Sequence, residues 1–196
     1  DKILQMLRET DGFISGQEIC SRFGVSRTAV WKSIKQLRGE GYDIVAVNNK
    51  GYRLEEVPDV IYEQELRSLL HTRWFGNKIL YFDSIDLTNN ELKRQAETQV
   101  CHGLLAVAEE QTAGRGRRGH GWVSPPGTGI WFSVLLKPEV SPDKASMLTL
   151  VAAMAVSKAI TETTGLVSQI KWPNDIVGNK KKVCGMLTEL SAEMTR

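Results

Sequence analysis

Apolar residues recur at helical spacing from the first residues of the chain. Three of them fall on one helix face within the first eight positions: Ile3, Leu4 and Leu7. Gly12 is predicted to end this helix. A second helix is expected to begin at Ser15, because Ser15 and Glu18 have the spacing of a capping box ahead of the apolar run 19–23.

A third helix follows a short turn at Gly24, with Ser26 as its predicted N-cap. Its inward face is read from the apolar positions Val30, Ile34 and Leu37, and we expect Trp31 to belong to the core as well. Two helices joined by a tight glycine turn, with cations near the start of the second, are typical of a helix-turn-helix.

Alternating strand patterns then flank a turn. Residues 42–47 and 52–54 read as strands, and Gly51 supplies the turn between them. The arrangement predicts a winged helix-turn-helix domain over residues 1–57. The polar, proline-containing segment 55–59 is the expected boundary, and a second domain is expected over residues 61–196.

The second domain mixes helical and strand patterns. Helices are predicted at 61–70, from Thr88 through 96, and from 144 to about 163, with Thr88 and Glu91 as another capping box. Strands are predicted at 77–82, 104–109, 129–136, 170–177 and 182–190. Because strands outnumber helices and turns join neighbours, we predict an α+β fold with a mixed sheet.

Charge is distributed unevenly along a chain whose net charge is only +2. Residues 20–53 carry an excess of five positive charges, which is typical of a face that binds duplex DNA. We expect base or phosphate contacts from Ser26, Arg27, Thr28 and Lys32, and backbone contacts from Lys50 and Arg53. A cationic face that only keeps the domain soluble is the alternative. A winged helix of this size is expected to bind DNA as a pair.

Composition indicates an ordinary soluble protein, with 41% hydrophobic and 24% charged residues. No apolar run is expected to approach the roughly 20 residues of a membrane span. Three widely spaced cysteines, Cys20, Cys101 and Cys184, predict a reducing compartment without disulfides, hence the cytoplasm. The three histidines lack the spacing of a zinc site, and no structural metal is expected. The chain lacks an initiator Met and a signal-peptide pattern, which indicates a fragment trimmed at the front.

The segment 111–121 places three arginines and four glycines together. Guanidinium groups and bare backbone N–H groups bind phosphate and carboxylate oxygens. Its spacing from Gly114 to Gly119 matches a dinucleotide-binding fingerprint, but two prolines follow where that fingerprint needs a helix. We therefore predict a disordered or mobile anion-binding loop between two strands. A solvated basic loop is the alternative.

A second cluster, 171–175, combines Lys171, Asn174 and Asp175 around Pro173. Proline interrupts the predicted strand, so these side chains are expected to converge in an irregular segment. A lysine is a point charge suited to a single phosphate.

The winged helix, the segment from Gln111 to Trp122 and the cluster 171–175, in that order, resemble the biotin protein ligases that also repress the biotin operon. The resemblance covers essentially the whole chain and implies a class II synthetase-like catalytic domain. It implies synthesis of biotinyl-5'-adenylate from biotin and ATP with Mg²⁺, and transfer of biotin to a lysine of a carboxylase carrier domain. It also implies that the adenylate-bound protein forms a homodimer on operator DNA, with no membrane partner.

Site residues follow from the same resemblance. Biotin contacts fall on Leu87, Thr88, Asn89, Gln111, Arg115, Gly116, Arg117, Lys171, Gly185 and Leu187. Nucleotide contacts fall on Arg117, Arg118, Trp122, Lys171 and Asn174, with Trp122 stacked on adenine. Arg115, Arg117 and Lys171 are the expected catalytic residues, because their charges would offset the repulsion between a carboxylate and a triphosphate.

The sequence departs from the family pattern in three places. Leu87 replaces a serine, His120 stands where arginine is common, and the chain ends at Arg196, before the family's Gly-x-Gly-Ile-Asn strand and small C-terminal β domain. One alternative is a repressor that senses biotinyl-adenylate without ligase activity. A lipoate ligase relative is disfavoured by the winged helix, and a dinucleotide-dependent oxidoreductase by the missing helix after Gly119.

Overall fold

The structure is a computed structural model that describes residues 2–59, 61–98 and 101–191 of the chain. Its N-terminal part contains three helices, α1 (Lys2–Glu9), α2 (Gly16–Phe23) and α3 (Arg27–Gly39). An antiparallel hairpin follows, formed by β1 (Asp43–Val47) and β2 (Gly51–Glu56). The predicted winged helix-turn-helix is therefore confirmed.

Both serines that were predicted as N-caps do cap the start of a helix. Ser15 Oγ accepts the Glu18 N–H at 3.1 Å, and Ser26 Oγ accepts the Ala29 N–H at 3.2 Å. The helices and the hairpin enclose one apolar core, whose fully buried members include Leu4, Ile14, Ile19, Ile34, Leu37, Tyr42 and Ile44. This burial explains why α1 belongs with the helix-turn-helix although it precedes it.

The prediction that Trp31 belongs to the core is wrong. Trp31 is 54% exposed, while Val30 and Ile34 on the same helix are buried. Successive helical residues are about 100° apart, so the position next to Val30 turns away from the core face. Lys35 Nζ lies 5.2 Å from the centroid of the Trp31 ring.

A three-stranded sheet forms the centre of the second part of the chain. Its strands are β3 (Ile79–Phe82), β4 (Leu104–Ala108) and β5 (Trp131–Leu135), with β4 parallel to β3 and antiparallel to β5. All five residues of β4 are buried. Helix α4 (Glu63–Leu69) covers one face, since Leu66 packs with Ile79 and Leu105.

Helix α5 (Thr88–Thr98) covers the opposite face, since its Leu92 packs with Leu104 and Ala106. Because β4 is apolar on both sides, helices on both faces are the expected way to bury it. This layering places the first turn of α5 beside the loops that leave β4.

The last helix and sheet form a separate layer. Helix α6 (Ala145–Thr164) follows a 3₁₀ turn at Pro142–Lys144 and ends at Gly165, whose φ is +71°. Strands β6 (Ser168–Lys171), β7 (Asp175–Gly178) and β8 (Lys181–Gly185) form an antiparallel sheet. The mixed α+β class is confirmed, although β8 ends five residues before the predicted position 190.

The expectation that no segment is apolar enough to span a membrane needs correction. By length and composition alone, the helical stretch Pro142–Thr164 is long and apolar enough to cross a membrane. Its serines and threonines interrupt the apolar run without making the helix polar. Only 11% of its most apolar window is buried in the described structure. Core helices of soluble proteins pass the same test, so this is weak evidence for a span.

A polar contact crosses the predicted domain boundary. Glu65 on α4 accepts hydrogen bonds from Arg8 on α1 and from the Tyr42 hydroxyl, the latter at 2.8 Å. Tyr42 is 2% exposed, and burial and the Glu65 carboxylate raise its pKa above the usual range. The boundary between residues 57 and 61 remains a prediction.

Candidate functional site

The arginine-glycine segment between β4 and β5 folds back on itself. Trp122 N donates to Gly114 O at 2.8 Å, and Gly116 N donates to His120 O at 2.7 Å. A side chain at Gly114 would collide with the Trp122 carbonyl, so glycine is required there. The predicted loop thus forms a small hairpin with a 3₁₀ turn at Arg117–Gly119, and residues 120–130, where a dinucleotide site needs a helix, contain none.

The first turn of α5 is capped by the side chain of Gln111, which lies three residues beyond the end of β4. The Thr88 N–H and the Thr88 hydroxyl each donate to Gln111 Oε1 at 3.0 Å. The predicted capping box of Thr88 and Glu91 is wrong, because Thr88 already lies inside the helix and the Glu91 N–H donates to Leu87 O. The Thr88 hydroxyl does not cap α5 and instead joins the polar groups of the candidate site.

Ser133 completes a polar cluster that sequence reasoning missed. Its hydroxyl lies 2.7 Å from the Thr88 hydroxyl and donates to Asn89 Oδ1. Gln111 Nε2 extends the cluster by donating to Ser124 Oγ at 3.1 Å. One serine inside the apolar strand Trp131–Leu135 was the available signal.

The other predicted biotin contacts lie around this cluster. Leu87 is buried beside Thr88, and Asn89 Nδ2 donates to Leu187 O at 3.2 Å. Gly185 ends β8, where an added side chain would come within 2.9 Å of Lys182 Nζ. The structure therefore brings Leu87, Thr88, Asn89, Gln111 and Leu187 together, with Gly185 on the adjoining strand.

The predicted nucleotide side is built where the arginine-glycine hairpin meets the β6–β8 sheet. Arg117 Nη1 donates to Asn174 Oδ1 at 3.4 Å, and Asn174 Nδ2 donates to Met186 O at 3.0 Å. Lys182 Nζ lies 4.8 Å from the centroid of the Trp122 ring and 2.7 Å from Asp175 Oδ1. Two segments more than 50 residues apart thus contribute to one basic, aromatic corner.

Lys182 was missed at this corner because it is the last of three adjacent lysines at 180–182, which residue type alone does not distinguish. Its placement comes from β8, which pairs with β7 and shifts register between Ile176 and Val177.

The remaining predicted cations are placed differently. Lys171 is exposed at the end of β6, opposite Asp175 in the strand register. Arg118 is exposed with a φ of +57°, and Gly116 lies beside it in the hairpin. Arg115 is already bonded, through Nη2, to Asn90 Oδ1 at 3.2 Å and to Glu189 Oε1 at 3.0 Å.

Local charges and burial shift the pKa values of two groups near the candidate site. Burial on its own raises the pKa of Glu189, but hydrogen bonds from Lys93 and Asn89 and the Arg115 charge outweigh it, so this pKa lies below its usual value. Burial raises the pKa of the Cys184 thiol on β8, one residue before Gly185. Cys184 is therefore kept in its neutral, unreactive form.

The residues predicted to contact DNA lie in two places, an exposed surface at the start of α3 and the wing. Ser26, Arg27, Thr28 and Lys32 are all exposed at the start of α3. On the wing, Lys50 and Arg53 lie 5.9 Å and 4.7 Å from the centroid of the Phe13 ring, and Arg53 also pairs with Glu55. Arg38 is not part of this surface, because its Nε donates to Ile44 O at 2.8 Å.

Within residues 2–59, 61–98 and 101–191, no group of three or more His, Cys, Asp or Glu side chains is arranged to hold a metal ion.

Both parts of the chain resemble known protein families. The model of the biotin/lipoate A/B protein ligase family matches residues 81–195, and a helix-turn-helix (HTH) domain model matches residues 1–53. The bifunctional ligase/repressor BirA of Bacillus subtilis (strain 168) is 46% identical over 94% of this chain, and that of Escherichia coli (strain K12) is 31% identical over 98%. The chain spans 57% and 58% of the lengths of these two curated relatives.

A solved structure supports the fold of the second part. Biotin protein ligase from Aquifex aeolicus, in complex with biotin and ATP, superposes with a TM-score of 0.52 at 39% identity. The match covers 59% of this chain and 47% of that one. Because the family model covers more than half of this sequence, the chain belongs to the biotin/lipoate A/B protein ligase family.

Proposed function

We propose that this chain is the adenylate-forming part of a biotin protein ligase. It would join biotin to the α-phosphate of ATP as biotinyl-5'-adenylate, from which biotin passes to a lysine of a carboxylase carrier domain. The observation that carries the proposal is the meeting of Arg117 and Trp122 with Asn174 and Lys182 beside the polar cluster at the start of α5.

The cationic corner suits the chemistry of adenylate formation. A carboxylate must approach a polyanionic triphosphate, and fixed positive charges offset their repulsion as the bond to the α-phosphorus forms and pyrophosphate leaves. Arg117 bonds to the neutral Asn174 amide and Lys171 is exposed at the end of β6, so both charges can meet phosphate oxygens. The Trp122 ring offers an aromatic face for adenine.

The polar cluster suits the ureido ring of biotin. Thr88 and Ser133 share a short contact, and Asn89 and Gln111 supply amide groups beside them. These groups present hydroxyl and amide oxygens that accept the ring N–H groups, and amide hydrogens that bind its carbonyl. Leu87 lies buried behind them and provides an apolar wall.

Magnesium is assigned to the nucleotide rather than to a protein cage. Mg²⁺ is usually held by substrate phosphates, waters and one or two carboxylates. The described residues offer Asp175 at the corner but no three-carboxylate cluster, which fits a Mg²⁺ ion that enters with ATP.

We further propose that the winged helix binds operator DNA and represses transcription as a homodimer when biotinyl-adenylate is bound. The exposed row of Ser26, Arg27, Thr28 and Lys32, with Lys50 on the wing, supports this role. We place the protein in the cytoplasm, away from membranes.

Labelled adenylate synthesis tests the enzymatic proposal. The chain is incubated with biotin and ATP labelled at the α-phosphate, and biotinyl-adenylate is resolved from ATP and AMP. We expect biotin-dependent product, and a loss of about 10²–10³-fold in Lys171→Ala, because one stabilising charge is removed from the reacting phosphate. Lys158→Ala, which removes an exposed lysine paired with Glu162 on α6, is the control and should keep the wild-type rate.

Other outcomes have definite meanings. If the chain binds synthetic biotinyl-adenylate tightly but makes none, it is a repressor that senses the adenylate and not a ligase. A Lys171→Ala rate within twofold of wild type would remove Lys171 from the reacting groups.

A further inference from the structure

Glu189 receives three side chains at the edge of the candidate site. It lies four residues beyond the end of β8, and its side chain is 25% exposed. Lys93 Nζ lies 2.8 Å from its carboxylate, Asn89 Nδ2 2.9 Å and Arg115 Nη2 3.0 Å. Sequence reasoning assigned no role to Glu189.

These donors come from two different parts of the fold. Asn89 and Lys93 stand one turn apart on α5, whereas Arg115 belongs to the arginine-glycine hairpin. A single carboxylate therefore joins α5, the hairpin and the segment after β8.

The contact continues into the polar cluster. Asn89 binds Glu189 through its amide nitrogen and accepts the Ser133 hydroxyl through its oxygen. Ser133 in turn contacts Thr88, which donates to Gln111. Glu189 thus lies at one end of a continuous hydrogen-bond network that runs through the proposed biotin contacts.

In the described part of the chain, the groups on the nucleotide side bond to partners other than this carboxylate. Arg117 binds Asn174, and Lys182 binds Asp175 and covers Trp122. Two of the three arginines of the hairpin therefore have different partners: Arg115 pairs with the Glu189 carboxylate, whereas Arg117 bonds to the neutral Asn174 amide.

We propose that Glu189 is a positioning residue, which fixes the Arg115 guanidinium and the Asn89 amide on the biotin side of the site without touching either substrate. This inference rests on the proposed function. It divides the hairpin between an anchoring arginine, Arg115, and a phosphate-binding arginine, Arg117. Without Glu189, Lys93 and Arg115 lose their shared counter-charge, and both Asn89 and Arg115 lose their fixed orientation.

Substrate-specific kinetics test the assignment. In Glu189→Gln we expect KM for biotin to rise about three- to tenfold, because charged hydrogen bonds between half-exposed groups are lost. The KM for ATP should stay within twofold of wild type, since no nucleotide-side residue contacts Glu189. Glu162→Gln, which removes an exposed carboxylate paired with Lys158 on α6, is the matched control.

A double-mutant cycle shows whether Glu189 acts through Arg115. The double variant Glu189→Gln/Arg115→Gln should raise the KM for biotin by less than the two single effects combined, because the Arg115–Glu189 bond is already lost in either single variant and only the Asn89 and Lys93 bonds remain to be removed. Fully additive effects, an unchanged KM for biotin, or an equal rise in KM for ATP would each overturn the assignment.

A ligand-free measurement separates failure of this inference from failure of the proposed function. The hairpin contains tryptic sites at Arg115, Arg117 and Arg118. Trypsin should cleave there faster in Glu189→Gln than in wild type or Glu162→Gln, whether or not the protein binds biotin. Equal cleavage rates would show that Glu189 does not hold the hairpin.

Discussion

Asp86, two residues before α5, receives a cluster of side-chain donors. Arg94 Nη2 and Asn90 Nδ2 donate to its carboxylate at 3.0 Å and 2.8 Å, and these bonds hold the pKa of Asp86 well below its usual range. Its backbone carbonyl also accepts the Ala113 N–H, so Asp86 sits where α5 meets the strand that leads into the arginine-glycine hairpin.

We predict that Asp86→Asn lowers the free energy of unfolding at pH 7 by up to about 1 kcal/mol, a small effect because the groups are well exposed. The native pKa of the carboxyl is depressed, so its contribution is fully present above the unfolded value of roughly 3.9 and is lost as the pH falls from there through the lower folded value. Urea denaturation from pH 7 to pH 3 should show the difference between wild type and variant beginning to shrink at the acid end. A difference that grows toward low pH would contradict this assignment.

Lys182 shows what a single residue gains from its strand. In the sequence it is one of three adjacent lysines, and all three are chemically equivalent there. Pairing of β8 with β7 directs Lys182 toward Asp175 and Trp122. Its role could not be read from residue type, because the selection among the three lysines depends on strand register.

At the scale of the elements, the turn at Gly51 determines how closely the wing can pack. Gly51 begins β2 with a φ of +106°, and an added side chain would collide with the backbone of Ile14, which pairs with Tyr52. The wing can approach the start of α2 only because this residue has no Cβ atom.

Gly51→Ala is therefore expected to lower the free energy of unfolding of the N-terminal domain by roughly 2–4 kcal/mol, from backbone strain and the collision together. Gly39→Ala is the control, because Gly39 lies within α3 and an added Cβ meets nothing within 4 Å. That change should be neutral or slightly stabilising. Thermal unfolding followed by circular dichroism compares the two, and equal melting temperatures would refute the proposed constraint.

Helix α3 is the element proposed to read DNA. Arg27 Nη2 donates to Gln17 Oε1 at 3.1 Å, which holds the guanidinium at the junction of α2 and α3.

We predict that Arg27→Ala weakens operator binding by about 1–3 kcal/mol and leaves adenylate synthesis unchanged, because a groove contact is lost and the site is untouched. Fluorescence anisotropy with labelled operator DNA measures the affinity. Arg67→Ala, which removes an exposed cation from α4, should bind DNA as wild type does. Equal affinity of Arg27→Ala and wild type would exclude α3 as the reading helix.

The two parts of the molecule are joined by Glu65, which binds Arg8 and Tyr42 across the predicted boundary. Side chains of Arg8 and Glu65 are only 20% and 12% exposed, so their pairing is partly shielded from water. Removing one partner of such a pair leaves the other charge poorly solvated.

Glu65→Ala should therefore destabilise the N-terminal helices and weaken their thermal coupling to the rest of the chain. Scanning calorimetry is expected to show the transition of the winged helix shifted to lower temperature and better separated from the second transition. Glu63→Ala, on the same helix and paired only with exposed Arg67, is the control. Identical profiles for Glu65→Ala and wild type would show that this contact does not couple the two parts.

At the scale of the whole molecule, the wide exposure of α6 contrasts with the buried strand β4. Met147, Val151 and Met154 on α6 are each more than half exposed, whereas every residue of β4 is buried. Both segments are apolar in composition. Only the tertiary structure distinguishes them, because burial depends on which neighbours pack against an element.

By itself the sequence predicted the winged helix, the mixed sheet class, the two segments of the candidate site and the order of the elements, apart from the strand at 170–177, which the structure divides into β6 and β7. Those features follow from local periodicity, capping serines, prolines and glycines, which act over a few residues. The tertiary structure decided that Trp31 faces solvent, that Thr88 binds Gln111 instead of capping its own helix, and that Ser133, Lys182 and Glu189 join the site. These outcomes depend on contacts between residues far apart in the chain, whose pairing is fixed by strand register and packing.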